Sequence, residues 1–120
     1  IYMSRSHGGE YGPAELVEGV NSASEDAQPN VRRDALEIFF FSTRPGTLGG
    51  PDIYAATRAR TSDTWSVPVN LGANVNSTAA DSRPSISWDG TVLHFGSNRS
   101  GGEGGSDIYM TTRQKLNGSN

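Results

Sequence analysis

Short apolar clusters alternate along the chain with polar, glycine-bearing stretches, and none of the clusters has the spacing of an amphipathic helix. The densest is Ile38-Phe39-Phe40-Phe41. A strand with one solvated face alternates apolar and polar residues, whereas an unbroken run is the pattern of a strand covered on both faces. Asp89-Gly90, just after Trp88, is a hairpin signal, because Asp-Gly suits a turn with positive φ. The flanking stretches Pro84–Trp88 and Thr91–Asn98 read as two strands, Asp107–Arg113 as a third and Trp65–Leu71 as a fourth. Earlier counterparts are Pro29–Arg33, Leu36–Thr43, Asp52–Arg58 and, more weakly, Glu10–Leu16.

These counterparts arise because the chain writes one phrase twice. Ser42–Arg58 reads STRPGTLGGPDIYAATR and Ser97–Arg113 reads SNRSGGEGGSDIYMTTR, an offset of 55 residues. At the same offset Val20-Asn21-Ser22 matches Val75-Asn76-Ser77, Asp26 matches Asp81, Pro29 matches Pro84 and Phe40 matches Phe95. Arg44 and Arg99, Asp52 and Asp107, and Tyr54 and Tyr109 form a motif that recurs in register. Four short strands every 40–55 residues or so is the pattern of a β-propeller blade, a sheet that buries both faces between neighbours. The expected fold is therefore all-β, built of blades of four antiparallel strands, labelled a to d outwards from the centre.

The stretch PSISWDGTVLHFGSNRSGGEGGSDIYMTTR, Pro84–Arg113, resembles the TolB-type, WD-repeat-like propeller repeat. That repeat runs Pro-x-φ-Ser-x-Asp-Gly-x-x-Leu-x-Phe-x-Ser-x-Arg (φ here an apolar residue), then a Gly-rich loop, then Asp-Ile-Tyr. The likeness extends from about Leu16 to Arg113. Two departures are local: Trp88 stands where the repeat often has Pro, and Arg33-Asp34-Ala35 replaces the Asp-Gly turn. The resemblance implies a bacterial, extracytoplasmic protein, periplasmic or secreted, that binds partners at the mouth of the propeller channel. It does not by itself imply a chemistry, since propellers serve many functions.

The ring is expected to be incomplete. Ile1–Arg5 resembles a third strand, so residues 1–16 read as strands c and d of a partial blade, 17–71 as a complete blade, and 72–120 as strands a, b and c. Propellers close with about four to eight blades. The start at Ile1 points to a mature, trimmed or partial chain. Either the remainder belongs to a longer polypeptide, or copies exchange strand d and close a homo-oligomeric ring, a trimer making about six blades and a tetramer about eight.

Composition narrows the partners. The 120 residues carry 15 glycines and 33% hydrophobic residues, a profile of short strands and many turns. A net charge of −3 offers no general attraction to phosphate backbones, so nucleic acid is not expected. No apolar run is long enough to span a bilayer as a helix. Without cysteine there is no disulfide or thiolate chemistry.

Candidate chemistry concentrates in the loops. The d–a and b–c loops are expected on one face, where Asn21, Asp26, Asn76, Asp81, Arg83 and Glu103 would serve protein or glycan recognition, although for Asn76 and Asp81 local Asx-type hydrogen bonding is the stronger reading. Arg99 is expected to reach Asp107 or nearby carbonyls across the Gly-rich loop, and Arg44 to do the same with Asp52. His94 and the Ile108-Tyr109 pair are expected to pack between blades. Calcium is a weak prospect, with only Glu103 and Asp107 as ligands in GGEGGSD, and no other cofactor is expected. The Gly-x-Ser-x-Gly elbow of a serine hydrolase is absent. A glycan hydrolase or lyase using Asp26, Asp81 or Glu103 is the alternative, weakened because Asp26 and Asp81 are equivalents while acid and base need unlike environments. A purely structural assembly segment is the third reading. Trp65 and Trp88 are more suited to packing than to stacking on sugars, with Trp88 the more exposed.

Overall fold

Strands form where apolar residues cluster, and the described residues, 1–115 of the computed structural model, contain strands and no helix. Residues 116–120, the end of the expected last unit, lie outside the described residues. In chain order the strands are β1 (Tyr2–Met3), β2 (Ser6–His7), β3 (Glu10–Tyr11), β4 (Glu15–Leu16), β5 (Asp26–Val31), β6 (Glu37–Ser42), β7 (Asp52–Thr57), β8 (Val69–Asn70), β9 (Asp81–Ile86), β10 (Val92–Ser97) and β11 (Asp107–Thr112). They make small antiparallel sheets, none closed: β5-β6-β7-β8, β9-β10-β11, and the pairs β1-β4 and β2-β3.

The run Ile38–Phe41 is apolar throughout because β6 has a core on each side. Ile38 and Phe40 pack with Val17, Val20, Tyr54 and Ala56, against which Ile1 and Trp65 rest. Phe39 points the other way and packs with Ile53, Ala55, Val75, Leu93 and Phe95, so the second core joins the four-stranded sheet to the three-stranded one. Each fully buried phenylalanine contributes roughly 1.5–3 kcal/mol. Polar contacts reinforce the junction. Arg113 at the end of β11 reaches the buried carboxylate of Glu37 on β6, with Nη2 2.6 Å from Oε1 and Nη1 3.1 Å from Oε2. Between the edge strands β5 and β9, the Ile86 amide donates to Asn30 Oδ1 at 2.8 Å and the Arg83 amide to Gln28 Oε1 at 2.9 Å.

Several boundaries differ from expectation. The edge strands β5 and β9 begin at Asp26 and Asp81, three residues before Pro29 and Pro84. The ladder slips beside each proline, between Ala27 and Asn30 in one case and between His94 and Gly96 on the partner strand in the other. A bulge lets a residue without an N–H sit inside a strand, and it puts Gln28 at φ 56° and Arg83 at φ 52°. The expected fourth strands, Trp65–Leu71 and Glu10–Leu16, shrink to two residues each, β8 and β4. Glu10-Tyr11 instead pairs with Ser6-His7 across Gly8-Gly9, whose φ values of 58° and 86° make the tight hairpin.

Ile108 was expected in a core but is 80% exposed, and His94 is exposed beside it. Their counterparts Ile53 and Phe39 are buried because the three-stranded sheet covers them. No layer of described residues covers the same face of β9-β10-β11.

Candidate functional site

Two buried ion pairs organise the loops on one side of the sheets. At the end of β6, Arg44 Nη2 lies 2.9 Å from Asp26 Oδ1 and also donates to the carbonyl of Val20. At the end of β10, Arg99 Nη2 lies 2.9 Å from Asp81 Oδ1 and also donates to the carbonyl of Val75. Antiparallel pairing brings these groups together, because Ser42 stands opposite Asp26 and Ser97 opposite Asp81. Each arginine is two residues beyond that serine and takes the serine Oγ as a further acceptor, at 2.9 Å from Nε in both cases. The expected pairings of Arg99 with Asp107 and Arg44 with Asp52 do not form, and the carbonyls the arginines reach, Val75 and Val20, belong to the loops before β9 and β5 and not to the Gly-rich loops. The guanidinium groups also cover aromatic rings, Arg44 above Phe40 and Tyr54, Arg99 above Phe95 and Tyr109.

The aspartates anchor the preceding loops as well. Asp26 Oδ2 accepts from the amide and hydroxyl of Ser22 at 2.7 and 2.8 Å, and Oδ1 accepts from Ser42 Oγ at 2.6 Å. Burial by itself would raise this carboxyl, but the hydrogen bonds from Ser42, Ser22 and Arg44 outweigh it and lower its pKa to about 2. Asp81 accepts from the Ser77 amide at 2.7 Å and from the Ser77 hydroxyl at 3.1 Å.

The asparagines act as backbone substitutes. Asn76 is buried; its Oδ1 accepts from the Ile53 amide at 2.7 Å and its Nδ2 donates to the Ile53 carbonyl at 2.9 Å and to Asn70 Oδ1 at 2.9 Å. Asn21 makes the same kind of clamp on Ile1, donating to its carbonyl at 3.0 Å and accepting from its amino group. Asp52 and Asp107 sit at the starts of β7 and β11 and tie down the glycine-rich loops. Asp52 Oδ2 accepts from the Leu48 amide at 2.8 Å and Asn70 Nδ2 at 2.9 Å, while its buried Oδ1 has no partner among the described residues. Asp107 Oδ2 accepts from the Glu103 amide at 2.9 Å.

Of the six residues expected to bind a partner, Asn21, Asp26, Asn76 and Asp81 are thus committed to internal hydrogen bonds. Arg83 and Glu103 are exposed. Sequence reasoning missed the rim that the loops form with each other. The Gly50 amide donates to the Thr78 carbonyl at 3.2 Å and the Asp81 amide to the Pro51 carbonyl at 2.9 Å. The b–c loop of one sheet therefore abuts the d–a loop that leads into the next. A Cβ on Gly49 would overlap the backbone of Thr78, and the Gly-Gly pair was the available signal. On the loops Glu25, Thr78, Asn98 and Glu103 are exposed, as is Arg83 within β9.

Trp65 is half-buried against the first core with the Arg58 guanidinium 4.0 Å from its ring, and Trp88 is 73% exposed with Arg33 4.4 Å from its ring. Among the described residues no group of three His, Asp or Glu side chains is placed to hold a metal. No protein-family model matches the chain, and no curated protein matches it either.

Proposed function

We propose that the chain is a segment of a TolB-like β-propeller that serves as a non-catalytic recognition module, binding a protein or a glycan through the d–a and b–c loops of an extracytoplasmic protein. The observation that carries this reading is the pair of clamps, Arg44 with Asp26 and Val20, and Arg99 with Asp81 and Val75. Both aspartates and both arginines are used to fix loop ends; of the exposed charged residues, Glu25 and Glu103 lie on those loops and Arg83 within β9. A rigid frame displaying variable tips is the arrangement suited to recognition, since little ordering entropy is lost on binding. The b–c loop of one sheet touches the d–a loop leading into the next, and Glu25 and Glu103 on the loops, with Arg83 on β9, supply the exposed charge.

Binding to a glycan array and to an extracytoplasmic protein fraction tests the reading. Saturable binding that is lost in Arg83→Ala with Glu103→Gln, at unchanged melting temperature, is the expected result. Turnover of any arrayed glycan would move the assignment to a hydrolase or lyase.

A further inference from the structure

We propose that the open edge and face of β9-β10-β11 form a docking site for an extended segment with the pattern Trp-x4-Asn-x5-Asn, which adds a strand to β11. The pattern is that of Trp65, Asn70 and Asn76, which this chain lays along β7 of the neighbouring sheet.

Four groups on β7 and its flanks receive that segment, and β11 presents an equivalent of each. Val69-Asn70 pairs with Ala55 and Tyr54; the equivalent edge on β11, Met110 and Tyr109, pairs with no strand on that side among the described residues. Asn76 clamps the amide and carbonyl of Ile53. Ile108 stands opposite Gly96 as Ile53 stands opposite Phe41, so its amide and carbonyl face the same way, and no described residue clamps them. Asn70 donates to Asp52, whereas Asp107 receives no side-chain donor among the described residues.

The fourth receiving group is a slot for the tryptophan. Trp65 lies on Arg58, which is itself fixed by a bond from Nε to the Ala35 carbonyl. Arg113 is fixed in the same way, its Nε donating to the Gly90 carbonyl at 2.7 Å. Beside Arg113 is a cavity of about 240 Å³ bounded by Leu71, Val75, Leu93 and Thr111. These are the counterparts of the residues around Trp65: Val17, Val20, Ile38 and Ala56.

The rim carries an independent sign. Gly49 and Gly50 have no side chain because the backbone of Thr78 to Ala80 crosses against them. Gly104 and Gly105 keep the Gly-Gly pair, yet only Asp107 lies near Gly104 and nothing lies near Gly105. A second copy of this chain is a poorer occupant. In its own N-terminal segment Leu16 stands opposite Tyr2 where Asn70 stands opposite Tyr54, so it has no donor for Asp107, and Asn21 is already engaged by Ile1.

The test is titration of the 120-residue chain with a synthetic peptide of the sequence TWSVPVNLGANVNS, followed by calorimetry and amide exchange. Saturable binding is expected, with slowed exchange at Ile108 and Met110. Replacing either asparagine or the tryptophan of the peptide by alanine should weaken it by about tenfold or more. Gly104→Val, where the nearest atom to a Cβ is Asp107 Oδ1 at 3.8 Å, should also abolish docking while leaving the melting temperature unchanged. No binding, or equal binding of a scrambled peptide, would overturn the proposal. Self-association of the chain that disappears in Asn21→Ala would overturn it too, in favour of a second copy.

Discussion

Arg99 lies 2.9 Å from Asp81, and the aspartate side chain it meets is fully buried while the arginine side chain is a quarter exposed. The pair joins the end of β10 to the start of β9, and the second bond, to the Val75 carbonyl, carries the connection back into the loop before β9. One side chain thus ties the paired ends of β10 and β9 to the Val75 carbonyl in the loop before β9. The same closure by Arg44 on Asp26 and Val20 holds the neighbouring sheet.

Arg99→Ala should destabilise the chain by about 3 kcal/mol, because it leaves a buried carboxylate short of its charged partner. Arg99→Lys should recover only part of this, since an ammonium cannot serve Asp81, Ser97 and the Val75 carbonyl with one planar group. Urea unfolding of the variants measures both; an Arg99→Ala midpoint equal to that of the unsubstituted chain would show the clamp to be energetically idle.

Acid should loosen the other clamp. The Asp26 carboxyl titrates at about 2 in the folded chain against an ordinary 3.8. A depressed folded-state value means that its stabilisation is complete above the unfolded value and disappears as pH falls toward 2. The span corresponds to about 2 kcal/mol. Asp26→Asn should therefore be less stable at neutral pH and show a flatter stability profile between about pH 4 and 2, followed by chemical unfolding at a series of pH values.

Glu37 and Arg113 should couple the two larger sheets. The Glu37 side chain is 8% exposed and binds Arg32 in its own sheet at 3.1 Å and Arg113 from the next at 2.6 Å. Glu37→Ala should cost about 3 kcal/mol, and a double-mutant cycle with Arg113→Ala should return a coupling of about 1 kcal/mol or more. A coupling near zero would mean that the apolar core alone holds the sheets together.

The β-strands were legible because burial on both faces leaves a plain record, as in Ile38–Phe41, and because Asp-Ile-Tyr recurs with its flanking glycines. The hairpin of β2 and β3 was not, since Ser6-His7 and Glu10-Tyr11 bury nothing and only Gly8-Gly9 marks it. The arginine pairings were misjudged for a physical reason. Asp107 is nearer to Arg99 in sequence and both aspartates stand opposite Ser97, but Asp107 accepts the Glu103 and Gly104 amides of its own loop, while Asp81 lies beside the Val75 carbonyl that Arg99 also reaches. The candidate binding residues were read as loop polar groups. Four of them replace backbone hydrogen bonds that the loops lack, a use the sequence suggests for Asn76 and Asp81 but does not separate from recognition at Asn21 and Asp26.

The glycine pairs allow a controlled comparison of two sites with the same local sequence. At Gly49 a Cβ would overlap the Thr78 carbonyl, and backbone cannot give way as a flexible side chain does. Gly49→Ala should therefore push the b–c loop off the d–a loop and cost about 1–3 kcal/mol. At Gly104 the nearest atom to the same Cβ is Asp107 Oδ1 at 3.8 Å, an ordinary contact. Neither glycine has a positive φ, so neither substitution carries backbone strain and the difference isolates the close approach. Gly104→Ala should change stability by less than about 0.5 kcal/mol. Equal effects at the two positions would mean that the rim contact of Gly49 with Thr78 contributes nothing to stability.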